Sequence, residues 1–400
     1  MKILVLNCGS SSIKYKLYDL KAELTLASGG VEKIGLEGSF LKHKRPDGSK
    51  HELMLPMPTH TEGIAAVLNV LTDPELGCLQ SLNEIDAVGH RVVHGGERFQ
   101  ESAVVTPEVL ASIRECADLA PLHNPANLKG IAAITEKLPE VPQVAVFDTA
   151  FHQTMPASAY LYALPYRYYE QYGVRRYGFH GTSHRFVSQR AIEVLGLNVN
   201  NSRLITCHIG NGSSIAAIVN GKCVDTSMGL TPTEGLMMGT RCGDVDAGAL
   251  VYLMQKEQMG ADALSNVVNK QSGVMGISEL SSDMRTIREA VANGNERATL
   301  TMEMYNYRIL KQIGAYAAAM GGVDAIVFTG GVGENQVVTR TYVADHLAYL
   351  GVAYDREKAQ ICGEESVFST PDSKVIMAVI PTDEEWMIAQ DTAALVQRHD

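Results

Sequence analysis

One local pattern occurs twice in this chain of 400 residues, and it restricts the fold more than any other feature. At the amino terminus a β-forming run, Ile3–Leu6, leads into the polar turn Asn7-Cys-Gly-Ser-Ser-Ser-Ile13, and a second run follows from Lys14 to Asp19. The same order returns at Leu204–Ile205, His208-Ile-Gly-Asn-Gly-Ser-Ser214 and Ile215–Val219, which closes on the hairpin signal Asn220-Gly221. Placing Ser11-Ser12-Ile13 over Ser213-Ser214-Ile215 superposes the two copies. A tight Gly/Ser turn between strands aims several backbone N–H groups at one point, the geometry of an anion nest. Glycine also permits the close approach that a phosphate oxygen needs. A third strand-to-glycine junction lies at Ala325-Ile-Val-Phe-Thr-Gly-Gly-Val-Gly-Glu-Asn335. Two related hairpins and a late glycine-rich loop imply a duplicated domain that grips a nucleotide between its halves. Neither a P-loop nor a GxGxxG fingerprint is present, so those routes to phosphate binding do not apply.

The length suits two domains with ample core. Strands alternating with helical periodicity give the α/β class, mixed sheets with helices on their faces. Residues 1–150 are expected to form the first domain and 151–384 the second, with the terminal segment 385–400 returning as a helix onto the first. Helices are expected at 60–71, from the Thr106-Pro107 start, from Asn124-Pro125, and over 186–196, 247–270, 283–293, 296–320 and 339–350. A capping box, Thr382-Asp-Glu-Glu385, opens the last one. Ile85–Val88 reads as a short strand that ends at Gly89-His-Arg-Val-Val-His-Gly-Gly96, and residues 151–185 read as irregular.

A net charge of −11 with no basic block to offset it argues against a nucleic-acid partner. An acidic protein that handles anions must concentrate positive charge locally, which makes individual arginines informative. Seven cysteines, odd in number and without a CxxC pair, point to a reducing cytoplasm and away from a disulfide framework or zinc site. The first apolar run is too short for a signal peptide, and no apolar run reaches the ~18 residues of a membrane span. A soluble, cytosolic protein without membrane partners is the expectation.

Arg91 precedes Gly95-Gly96, where a guanidinium can hold a carboxylate bidentately; a surface ion pair is the ordinary alternative. Arg241, set between glycines in Gly239-Thr-Arg-Cys-Gly243, is the matching candidate for a transferring phosphoryl group. Asp148 ends an apolar strand at its carboxyl end, a common ligand position in α/β proteins, although it can equally serve as a turn cap. With Glu385 in the capping-box position, Glu384 is left for a metal or its waters, and Asn7 and Asp148 could share that metal. Mg²⁺ suits such sparse oxygen ligation because it keeps several waters and bridges phosphates. The pairs His90/His94 and His180/His184 lack a third ligand at zinc spacing. His180 reads either as a donor to a charged group in a polar cleft or as a structural histidine.

The stretches Leu6-Asn-Cys-Gly-Ser-Ser-Ser12, His90–Gly96, Ala120-Pro-Leu-His-Asn124, Phe147–Met155, Arg176–His184, Asp225–Pro232 and Met238-Gly-Thr-Arg241 resemble the acetokinase family across nearly the whole chain. That family falls in the superfamily of actin, sugar kinases and heat-shock ATPases. The resemblance implies two ribonuclease-H-like domains, duplicated, with ATP in the cleft between them, and a homodimer. It also implies reversible transfer of the γ-phosphoryl group from Mg-ATP to acetate, giving acetyl phosphate and ADP, with Mn²⁺ able to replace Mg²⁺. By the same resemblance Asn7 and Glu384 hold the metal and Lys14 contacts nucleotide. Arg91 holds the acyl carboxylate, Asp148 is the catalytic acid, and His180 and Arg241 stabilise the transition state. The nucleotide is expected on His208, Ile209, Gly210, Asn211 and Gly212, on Asp283, Met284 and Arg285, and on Gly331, Val332, Gly333, Glu334 and Asn335. Val93, Leu122, Phe179 and Pro232 are expected to line the methyl site.

Phosphoryl transfer leaves the protein mainly positioning and charge stabilisation. A carboxylic acid with a pKa of roughly 4–5 is already ionised at neutral pH, so Asp148 is expected to position metal and substrate and not to remove a proton. A propionate kinase of the same family, a non-catalytic actin-like nucleotide-binding protein and, more remotely, a metal hydrolase are the alternative readings. The actin-like reading predicts gaps at Arg91, His180 or Arg241, and all three are filled.

Overall fold

The computed structural model describes residues 1–121 and 123–398. Contacts divide the chain into two compact units, Met1–Gln153 with Asp383–Asp400, and Thr154–Thr382. The first carries strands β1 (Lys2–Cys8), β2 (Ser12–Asp19), β3 (Leu24–Glu32), β4 (Phe40–Lys44), β5 (Lys50–Met54), β6 (Ala87–Val92), β7 (Ala103–Val104) and β8 (Gln143–Phe147). They form one sheet in the order β5-β4-β3-β2-β1-β6-β8-β7. The second carries β9 (Arg203–Ile209), β10 (Ser213–Val219), β11 (Lys222–Thr226), β12 (Ala325–Thr329), β13 (Ser366–Val367) and β14 (Ile376–Val379), in the order β11-β10-β9-β12-β14-β13.

The same arrangement lies inside both sheets. β3-β2-β1 and β11-β10-β9 are antiparallel, and β6 then β8, or β12 then β14, continue them in parallel. Cys8 faces Ile13 in one hairpin and Cys207 faces Ile215 in the other, the pairing that the serine superposition requires. β8 and β12 are buried at every residue, as strands covered on both faces must be. In the first unit, helices His60–Leu71 and Asn124–Lys137 cover one face through Ile64, Val67 and Ile134 on Leu4 and Leu6. Helix Glu384–Val396 covers the other through Ile388 and Ala389, on Ile3, Val5, Val144 and Val146. The core of the second unit gathers Ile309 and Ile313 of the long helix Glu296–Ala319 on Ile205, Ile215 and Ile326.

Several expected boundaries move, each for a local reason. β6 does not stop before Gly89; it runs on through Arg91 to Val92. Gly89 is not a turn residue but the place where the terminal helix meets the sheet. A Cβ there would lie 2.4 Å from Thr392 Oγ1 and 2.7 Å from Ile388 Cγ2. Asp383, and not Thr382, caps that helix, accepting from the Trp386 amide at 3.0 Å. Thr382 is otherwise engaged, its hydroxyl accepting from Ser183 at 2.8 Å and its amide donating to Glu334 at 3.2 Å. Glu385 does not close a capping box and instead pairs with Lys16 at 3.2 Å. The second hairpin keeps His208 and Ile209 in its strand, so its turn is only Gly210–Gly212. The segment Gly330–Asn335 is a short helix and not a loop. The region expected to be irregular holds the short helices Ala157–Tyr160 and Arg167–Tyr172, and the next helix starts at Gly181, earlier than position 186. The span 247–270 breaks into Ala247–Glu257 and Ala261–Lys270, and the helix expected over 339–350 spans Val337–His346.

Because the terminal helix sits against a bare Cα, Gly89→Ala forces helix and strand apart. The expected loss is about 1–3 kcal/mol, read as a lowered urea midpoint of the transition that unfolds the first unit.

Candidate active site

In the first unit the parallel pair β6 and β8 brings two side chains to the same end of the sheet. Val92 lies beside Phe147 in register, and the Asp148 amide donates to the Val92 carbonyl at 3.0 Å. Arg91 Nε donates to both Asp148 oxygens, at 3.0 and 3.1 Å, and Nη2 donates to Oδ2 at 2.5 Å. The Asp148 side chain is 2% exposed and that of Arg91 23%. Burial works against the guanidinium charge, but Asp148, with Glu384 and Glu385 behind it, outweighs burial and raises the arginine above its ordinary pKa. Among the described residues Nη1 of Arg91 makes no hydrogen bond, so one edge of the fork is committed to Asp148 and the other is not.

The chain beyond β6 is held by two buried asparagines of helix Asn124–Lys137. Asn127 accepts from the Val93 amide at 3.1 Å and donates to the Cys8 carbonyl at 2.8 Å. Asn124 accepts from the His94 amide at 3.1 Å and donates back to its carbonyl at 2.9 Å. Val93 is thereby tied to the end of β1. The sequence reading used Asn124 only as a helix start and missed Asn127. The signal was there: two amides one helical turn apart, on a face otherwise apolar.

Asn7 stands opposite Lys14 in the β1–β2 ladder. Glu384 sits in the first turn of the terminal helix. Burial pushes its carboxyl up to about 7; Arg91 opposes that, Asp148 and Glu385 add to it, and Lys14 again opposes. Its Oε1 is shielded from solvent and has no hydrogen-bond partner. Among the described residues no group of three or more His, Cys, Asp or Glu side chains is placed to hold a metal. A buried carboxylate oxygen without a partner still fits Mg²⁺, which takes one or two protein oxygens and fills the rest with water and phosphate.

In the second unit β9 and β12 are parallel neighbours with His208 beside Thr329, and the glycine segments follow their carboxyl ends. A Cβ on Gly210 would lie 4.0 Å from the Gly331 amide, so the hairpin turn and the start of helix Gly330–Asn335 adjoin. Gly330 adopts φ +77°, and its amide donates to Glu334 Oε1 at 2.8 Å, which folds the segment back on itself. Val332, Gly333 and Asn335 belong to the same turn of helix. The Gly239 amide donates to the Asn211 carbonyl at 3.1 Å, which docks the Arg241 segment on the hairpin.

Arg241 Nη1 donates to the Pro232 carbonyl at 3.0 Å, and among the described residues no carboxylate pairs with it. Burial alone acts on this half-buried guanidinium and lowers its pKa. A Cβ on Gly212 would meet Arg241 Nη1 at 3.3 Å and His180 Nε2 at 3.6 Å, so the cation and the imidazole flank the same turn. His180 holds a left-handed backbone, φ +56°, at the start of helix Gly181–Val194, and its ring stacks on His208 at 4.2 Å. Strain of this kind in a residue other than glycine collects at functional sites. Phe179, the preceding residue, is buried.

Asp283 caps helix Met284–Ala292 and grips the exposed Arg285 at 2.6 Å; this pair makes no hydrogen bond to either glycine segment among the described residues. Leu122 lies outside the described residues. Val93, Arg91, Asp148, Lys14, Asn7 and Glu384 thus belong to the first unit, and His180, Arg241, Phe179, Pro232 and the nucleotide candidates to the second.

The sequence pattern of the acetokinase family matches residues 2–390. An acetate kinase of Phocaeicola vulgatus is 62% identical over 398 residues, covering both chains in full. The crystal structure of Porphyromonas gingivalis acetate kinase superposes with a TM-score of 0.96 at 59% identity, over 99% of each chain. A propionate kinase from Francisella tularensis superposes with a TM-score of 0.91 at 40% identity, over 98% of this chain and 99% of its own. A match of this extent makes this protein a member of the acetokinase family.

Proposed function

We propose that the chain catalyses reversible phosphorylation of acetate by ATP, forming acetyl phosphate and ADP. The observation that carries this reading is Arg241: a half-buried guanidinium without a carboxylate, beside a glycine turn and an imidazole. A cation held out of water without a counter-ion is a preorganised site for the charge of a transferring phosphoryl group. An acetate oxygen attacks the γ-phosphorus in line, the bond from that phosphorus to the β,γ-bridging oxygen breaks, and the electron pair leaves on ADP. Acetate brings its own negative charge, so no base is needed.

Arg91 then offers its open edge to the acetate carboxylate. Asp148 has both oxygens on Arg91, which supports a positioning role in place of proton transfer. Asn7 and Glu384 are proposed to hold Mg²⁺, replaceable by Mn²⁺; when bound, the ion neutralises phosphate charge. Lys14 and the segments His208–Gly212, Asp283–Arg285 and Gly331–Asn335 are proposed nucleotide contacts. Val93, Leu122, Phe179 and Pro232 are the proposed methyl pocket.

No helix among the described residues is long and apolar enough to cross a membrane, in keeping with the proposed cytoplasmic location. A homodimer is proposed as well. Val251, Tyr252 and Leu253 on one helix and Leu300 and Tyr307 on another are large apolar side chains exposed in the single chain, and a second copy would cover them.

Propionate is the nearest competitor, and it differs by one methylene, worth ~1–3 kcal/mol in a pocket. ATP-dependent acyl hydroxamate formation is expected with acetate, more weakly with propionate and least with butyrate. Absence of product with all three would overturn the reading. Val93→Ala is expected to lower the KM for propionate relative to acetate, and an unchanged ratio would remove Val93 from the pocket. Asp148→Asn is expected to lower kcat/KM roughly 30-fold through the loosened Arg91. The shape of its pH–rate profile should stay that of the parent enzyme; a bell in the parent that vanishes in the variant would make Asp148 a proton carrier.

A further inference from the structure

Behind His180 runs a chain of hydrogen bonds with no part in the mechanism above. Thr206 Oγ1 lies 2.7 Å from His184 Nδ1, His184 Nε2 lies 2.8 Å from Ser214 Oγ, and Ser214 Oγ lies 2.9 Å from His180 Nδ1. Thr206, His184 and Ser214 are each 0% exposed. The fold places them without help from the substrate. Thr206 is on β9 and Ser214 on β10, two neighbouring strands, and His184 is one helical turn beyond His180 on the helix that packs against β9.

Each link carries one proton. A serine hydroxyl has a single hydrogen, so if it donates to one histidine it must accept from the other. A neutral imidazole likewise donates from one nitrogen and accepts at the other. If Ser214 donates to His180, the three bonds point the same way along the chain. With Thr206 donating to His184 Nδ1, His184 Nε2–H donates to Ser214, and the Ser214 hydroxyl donates to His180 Nδ1. The proton of His180 then resides on Nε2, the nitrogen on the side of Gly212 and Arg241. A negatively charged phosphoryl group needs a donor on that side.

We propose that Ser214 is a positioning residue that, backed by His184 and Thr206, fixes the His180 ring in the Nε2–H tautomer. Its place in the fold fits that task. The hydroxyl bridges two imidazoles, so the His180 ring cannot swing away without breaking its hydrogen bond to Ser214. A histidine whose proton sits on the wrong nitrogen keeps its position and loses its function.

The inference rests on the phosphotransferase reading for its kinetic consequence but not for its spectroscopic one. Long-range proton–nitrogen correlation on histidine-labelled protein, with His180 assigned by its loss in His180→Asn, reads the tautomer directly. The parent protein is expected to show a protonated Nε2 and a pyridine-type Nδ1 at His180, and Ser214→Ala a shift toward the other tautomer. In Ser214→Ala kcat is expected to fall about 10²-fold, with the KM values for acid and ATP within threefold of the parent. A parent His180 protonated at Nδ1 alone would overturn the proposal, and that measurement stands even if Ser214→Ala does not fold. A Ser214→Ala kcat within twofold of the parent would overturn it too. Parent protein inactive with every acid would instead sink the kinase reading, while its nitrogen shifts would still decide the relay.

Discussion

The ion pair between Arg91 and Asp148 is the constraint on which the first unit's chemistry depends. A carboxylate 2% exposed at the end of a sheet strand persists only if its charge is met, and here a guanidinium on the adjacent parallel strand meets it with three hydrogen bonds. Removing one member of such a pair leaves a buried charge that costs about 3–5 kcal/mol. The pair therefore fixes the guanidinium plane to the sheet. It also acts on Glu384, whose carboxyl is raised by burial, opposed by Arg91, and raised again by Asp148 and Glu385. The second unit makes the opposite choice. Arg241 is left without a carboxylate, so its field is not spent inside the protein. One cation is neutralised and oriented; the other meets a carbonyl but no carboxylate among the described residues. In the proposed reaction an acceptor must be aimed and a moving phosphoryl group met by charge, so each treatment suits its proposed partner.

Helix packing makes this arrangement rigid. Glu384 reaches its place because helix Glu384–Val396 lies flat on β1, β6 and β8, and it lies flat because Gly89 offers no Cβ. The strand that bears Arg91 and the helix that bears Glu384 thus share one contact, with Ile388 and Thr392 against the same glycine. Asn127 adds a second brace by joining the Val93 amide to the Cys8 carbonyl at the end of β1. A site assembled from four segments needs such ties, because phosphoryl transfer tolerates little misplacement.

Much of this was legible in the residues. The repeated strand–turn–strand unit gave the duplication, and the paired serines gave its register, because the spacing of side chains across a hairpin is fixed. Arg91 and Arg241 stood out through their glycine neighbours in an acidic chain. What was not legible depended on contacts distant in sequence. Nothing near Gly89 in the sequence announces Thr392, which it meets in the fold. Thr382 reads as a cap because Ser183 and Glu334, which occupy it, lie far away in the chain. Glu385 reads as its capping partner until Lys16 is seen beside it. Asn124, Asn127, His184 and Ser214 are polar residues at core positions, and only tertiary structure shows which of them brace a reactive side chain.

The two hairpins also show how one backbone came to hold two kinds of chemistry. The register that superposes Ile13 on Ile215 sets the facing pair Asn7 and Lys14 against the facing pair Thr206 and Ala216. Lys14 is exposed, whereas Thr206 and Ala216 are fully buried. The first copy thus presents polar side chains outward at a point where the second turns its ladder into the core. The buried copy pays for its threonine by pairing it with His184, and through Ser214 that pairing reaches His180. A hydroxyl that must be satisfied inside a sheet is a fixed point, and a chain of such groups carries that fixity to the surface. The exposed copy has no such need, and its polar groups Asn7 and Lys14 are the ones proposed for metal and phosphate. The same ladder geometry, solvated in one half and desolvated in the other, accounts for why the relay sits behind the second hairpin and not the first.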